Sequence, residues 1–103
     1  MPYFLERLDE HVEKRGRQVP GCRRPPSEYA GRGQCVFSCE PEERGIRFAV
    51  DALGTGAIMY ASDYPHWDSD FPHTVSAIRD RPELSPAEKA AILGDTAAAF
   101  YRL

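Results

Sequence analysis

Residues 61–73 read ASDYPHWDSDFPH and crowd most of the chain's potential chemistry into one short stretch. An apolar run, Ala57-Ile58-Met59-Tyr60-Ala61, stops at Ser62-Asp63. His66, Trp67, Asp68, Asp70 and His73 follow in quick succession. A carboxylate that ends a strand can ligate a metal or accept a proton from a water held there. The same residue type also caps helices and forms turns. His66 suits either a site or a turn. Trp67 is either the wall of a pocket or a cover for the core. Asp68 and Asp70 read equally as solvated loop acids. Together Asp63, His66, Asp68, Asp70 and His73 form an oxygen- and nitrogen-rich cluster, although D-x-x-H matches no self-standing zinc pattern, which needs four tetrahedral ligands.

The elements around this stretch must position it. Phe4, Leu5, Leu8 and Val12 recur at helical spacing and predict a helix over 2–15, with Gly16 as its stop. Residues 16–33 hold four Gly, three Pro and four Arg and read as a basic loop. Within it, PSEY suits one helical turn with Ser27 as cap. The apolar segment 34–40 reads as a short buried strand, with Cys35 and Cys39 as small core residues. Residues 42–53 predict a helix with Ile46, Val50 and Leu53 on one face and Glu42 and Glu43 in its first turn. Residues 57–62 predict a second strand, and 72–80 another helix. Ser85-Pro86-Ala87-Glu88 reads as a capping box opening a helix to Leu93. Gly94 is expected to break that helix, and Asp95 or Thr96 to cap the next turn.

Strand alternating with helix implies an α/β chain with a parallel sheet. In such sheets, functional residues lie on loops at the carboxyl ends of strands, which is where Asp63 falls. Two strands leave two open sheet edges, so the chain is expected to complete its sheet with further strands or other chains. Self-association is one route to that.

Composition bounds the alternatives. The 103 residues suffice for one modest core, taken here as a single partial domain over 1–103. A net charge of −3 disfavours non-specific nucleic-acid binding. No apolar run is long enough to span a membrane, and the N-terminus lacks a signal-peptide layout. Three cysteines with no C-x-x-C pair suit reduced thiols in a cytoplasmic setting.

The stretch IMYASDYPHWDSDFP resembles the last barrel strand and following loop of the amidohydrolase-related family of metal-dependent hydrolases and decarboxylases. LSPAEKAAILGDTAAAFYRL resembles that family's C-terminal helix pair. PYFLERLDEHVEK, PPSEY and CVFSCEPEE resemble, in order, its sixth helix, a loop and its seventh strand. The resemblance implies the C-terminal portion of a (β/α)8 TIM barrel, about the last two βα units plus terminal helices. It implies that Asp63 is a metal ligand and catalytic carboxylate at one divalent metal such as zinc. His66 and Trp67 would contact a small carboxylic acid, amide or ester substrate. The chain's histidines are His11, His66 and His73. It therefore has no H-x-H pair and no counterpart of the family's strand-five and strand-six ligands. Activity is expected to need those groups from a missing N-terminal barrel segment or a partner chain. The alternative is a non-catalytic association module that oligomerises through open sheet edges and C-terminal helices.

Overall fold

Helix α1 (Pro2–Arg15) begins with proline in its first turn and ends with Lys14 and Arg15, where the helix dipole favours cations. The structure is a computed structural model describing residues 1–103. A 3₁₀ turn, Gly16–Gln18, continues α1, so Gly16 does not stop it sharply. Helix α2 (Pro26–Tyr29) runs into a wider π-type turn, Ala30–Gln34, that closes on Gly33 at φ 73°, a conformation glycine adopts without a Cβ penalty. Ser27 does not cap α2. Its amide donates instead to Asp9 Oδ1 at 2.9 Å, tying α2 to α1.

The sheet has two parallel strands, β1 (Phe37–Cys39) and β2 (Ile58–Tyr60), in the register Phe37–Ile58, Ser38–Met59, Cys39–Tyr60. Both are shorter than their apolar runs, because each has only one neighbour to pair with. The crossover carries helix α3 (Ile46–Leu53), which Gly54 ends at φ 82° with its N–H on the Val50 carbonyl. Helix α4 (Thr74–Arg79) and helix α5 (Pro86–Ala90) follow. One π-type stretch, Ala91–Asp95, joins α5 to helix α6 (Thr96–Tyr101).

One cluster forms the core: Cys39 from β1, Ile46 and Val50 from α3, Ile58 from β2, Ile78 from α4, Leu84, and Ile92 from the π stretch. The expected α3 face is present, with Ile46 and Val50 buried and Leu53 packed against them. Only 13 of 103 residues are buried. The radius of gyration is 15.4 Å, against about 13 Å for a self-contained domain of 100 residues. The sheet edges and the outer side of α1 are correspondingly bare, with Tyr3, Phe4 and Leu8 exposed.

Three further expectations change. The helix expected from residue 42 starts at Ile46, leaving Glu42 and Glu43 outside its first turn. The Glu43 carbonyl is already held by Arg81, whose Nη1 and Nη2 donate to it at 2.9 and 2.6 Å while Nη1 also reaches the Pro41 carbonyl. Gly94 does not break the last helix. The chain widens by one π turn and continues, and Thr96 turns inward to donate to the Thr55 carbonyl at 3.1 Å. Cys35 lies outside β1 and is exposed, whereas Cys39 is buried as expected.

Two predictions arise here. Arg81→Met keeps the aliphatic stem but strands two carbonyls, so it is expected to cost about 2 kcal/mol in urea unfolding. A cost below a few tenths would show that the guanidinium does not fix this turn. Burial pushes the Cys39 thiol up to about 11, with Glu43 adding to the rise and Arg81 opposing it. Cys35 is therefore expected to react readily with a disulfide reagent near neutral pH, and Cys39 only after unfolding. Mass mapping of labelled peptides reads this directly.

The capping box is formed. Glu88 N–H donates to Ser85 Oγ, and Ser85 N–H donates to Glu88 Oε2 at 2.7 Å. Glu88 also accepts from Arg47 Nη1 at 2.9 Å, bridging α5 to α3. The Ser85 amide, then Arg47, hold the Glu88 carboxyl below its ordinary range.

Candidate functional site

Strand β2 delivers the candidate site. Its pairing with β1 ends as Ala61 N–H donates to the Cys39 carbonyl, and the chain then leaves the sheet. Asp63 turns it with φ 54°, in the left-handed region that aspartate tolerates better than most residues. Two successive turns follow, closed by His66 N–H on the Asp63 carbonyl at 2.8 Å and Ser69 N–H on the His66 carbonyl at 3.2 Å. Ser69 Oγ donates back to the Ser62 carbonyl at 2.6 Å, cinching the loop at its base. A third turn, His73 N–H on the Asp70 carbonyl, leads into α4. At the strand end, the Tyr60 hydroxyl and Thr74 Oγ1 lie 2.6 Å apart and fix α4 to β2.

These turns fold the sequence cluster selectively. Asp63, His66 and Asp68 converge, each offering one ligand atom within 4.8 Å of the others. Asp63 Oδ2 lies 3.1 Å from His66 Nδ1. Asp70 and His73 stay outside this group. The Asp63 and His66 side chains are 40% and 69% exposed, so the group sits open to solvent.

Trp67 is 95% exposed, so it covers no core. It stands between two members of the charged group with its ring in water. Tyr64 and Phe71, which the sequence reading did not single out, place their rings 4.6 Å apart at the two ends of the loop. Both are exposed. Their signal in the sequence is aromatic residues flanking the acids, which is hard to separate from core aromatics.

The donor set suits a divalent metal. Two carboxylates and one imidazole form the mixed oxygen and nitrogen environment that zinc and neighbouring transition metals accept. Three donors leave room for ligands from elsewhere. No helix is long and apolar enough to cross a membrane. The basic loop places Arg24 and Arg32 around Glu28, so part of its charge is paired within the loop.

A search of curated proteins returns no match. The sequence model of the Amidohydrolase family matches residues 3–103. That match spans both strands, the crossover helix, the Asp63 loop and the C-terminal helices, and the chain belongs to the amidohydrolase family.

Proposed function

We propose that this chain supplies the metal-binding carboxylate of an amidohydrolase-type active site, with Asp63 as that carboxylate. The observation that carries the reading is the position of Asp63, first on the loop leaving the carboxyl end of a parallel strand, in a chain of this family. In this reading β1 and β2 are the last two strands of a (β/α)8 barrel, and the remaining strands come from other polypeptide, continuous with this chain or not. A divalent metal such as zinc, when bound, supplies Lewis-acid polarisation of a substrate carbonyl or carboxylate. Asp63 holds that group and keeps negative charge beside the reacting centre. His66 and Trp67 offer a polar tip and an aromatic face to a small carboxylic acid, amide or ester at the mouth. The reaction is hydrolysis or non-oxidative decarboxylation, and the chain alone is inactive. The free thiols fit a cytoplasmic setting.

A second reading has its own support. Both sheet edges are open, and a groove beside β1 is lined by Met1, Tyr3, Phe37 and Phe48. With Phe100, Tyr101 and Leu103 also exposed, these surfaces favour association of copies through sheet edges and C-terminal helices. Native mass spectrometry of the full chain, purified without chelator and supplied with zinc, tests both. One metal per chain supports the metal-holding role. A metal-free oligomer favours the association module, and metal that Asp63→Asn still binds as the parent does overturns the role given to Asp63.

A further inference from the structure

We infer that α4 is a strap across the carboxyl ends of both strands, and that Arg81 at its end is a positioning residue for the loop that carries Asp63. The inference needs only the fold. It adds to the role proposed for Asp63 a residue that holds its loop from a distance.

Because β1 and β2 are parallel, the loops that follow them, 40–45 and 61–73, leave the same end of the sheet. Sites in parallel sheets are built from such loops. Helix α4 meets both. At its first residue, Thr74 is buried, and its Oγ1 lies 2.6 Å from the Tyr60 hydroxyl at the end of β2. One turn on, Ile78 is buried in the core. Just past the helix, Arg81 N–H donates to the Ile78 carbonyl at 3.3 Å, which fixes Arg81 to α4. Its side chain is only 14% exposed, and its guanidinium binds the Pro41 and Glu43 carbonyls of the loop after β1. Glu83 completes the anchor. Its carboxylate accepts from Arg81 Nε at 2.8 Å, and its carbonyl accepts from Arg47 Nη1 of α3 at 3.2 Å. A six-residue helix has too few internal hydrogen bonds to stand alone. Helix α4 therefore depends on both pins. The Asp63 loop runs through His73 straight into the first turn of α4 and depends on the helix in turn. Releasing either pin loosens both loops, since such coupling is reciprocal.

Amide hydrogen exchange followed by NMR on the full chain tests this. The probes are the hydrogen-bonded amides of Glu43 in the first loop and of His66, Ser69 and His73 in the second. Arg81→Met cuts the pin on the loop after β1, and Tyr60→Phe cuts the pin on β2. Each is expected to speed exchange in both loops by about tenfold, the factor that a lost hydrogen bond of this kind carries. Arg81→Lys keeps the charge without the fork and is expected to fall between the parent and Arg81→Met. Amides of α1 are expected to keep the parent's rates. If each variant loosens only the loop that its own pin holds, the contacts are separate and the inference falls. If α1 speeds up as much as the loops, the loss is one of global stability and the inference falls. Should Arg81→Met fail to fold, Arg81→Lys and Tyr60→Phe decide the same question. The metal-holding role of Asp63 is read separately, by zinc binding, and stands or falls on its own.

Discussion

Ile78→Ala is expected to remove about 3 kcal/mol of unfolding free energy. Ile78 is 0% exposed and sits where α4 meets the sheet and α3, in the cluster with Ile46, Val50, Ile58 and Ile92. Truncation takes away three buried carbons and leaves a cavity among the side chains of the cluster, which are held on separate helices and strands. Domains of this size are stable by about 5–15 kcal/mol, and a core this thin places the chain toward the lower end. The loss therefore corresponds to a fall in Tm of about 15 °C. Ile78→Val should cost only about 1 kcal/mol, since it removes one methyl group. Phe48→Ala makes the contrast: Phe48 is larger but 62% exposed, and its loss should stay within about 0.5 kcal/mol. Urea unfolding of the three variants gives the ranking. Equal costs for Ile78→Ala and Phe48→Ala would mean that this cluster is not the cooperative core.

Asp63→Asn is expected to separate the turn that Asp63 makes at the end of β2 from the metal-holding role proposed for it. Asparagine tolerates the left-handed backbone that φ 54° requires, so the loop and the thermal midpoint should hold. The charge is lost, and divalent metal affinity should fall by about 100-fold, since even residues that merely orient a ligand cost 10–100-fold. Asp63→Leu should instead lose metal binding and about 1–2 kcal/mol of stability, because a branched apolar side chain is strained at this backbone position. Calorimetry with zinc and a thermal melt of both variants check the pair. An Asp63→Asn variant that binds zinc as tightly as the parent would remove Asp63 from the metal site.

Local features were legible in the sequence. The span of α1, the Ile46–Val50 face of α3, the Ser85–Glu88 box and the end of β2 before Asp63 each depend on residues a few positions apart. Their physics is periodicity, capping and chain termination, and the structure reproduces them. Parallel pairing also followed, because the strand–helix–strand order leaves few other ways to bury both runs.

Contacts across the fold decided the rest. Helix α3 starts late because Arg81, far along the chain, holds the Glu43 and Pro41 carbonyls that a longer helix would use. Gly94 stays helical because Ile92 is buried in the core and Thr96 reaches Thr55, and these contacts outweigh glycine's local preference. At the candidate site, the sequence placed five acids and histidines in one stretch and its family resemblance singled out Asp63 and His66, but it read Asp68 and Asp70 alike as solvated loop acids. Two turns and a serine clasp bring Asp68 to Asp63 and His66 and leave Asp70 and His73 outside. The chain by itself thus determined which residue types meet at the end of β2. Only the folded loop decided which of them converge, because turn direction depends on backbone conformation and distant hydrogen bonds rather than on spacing.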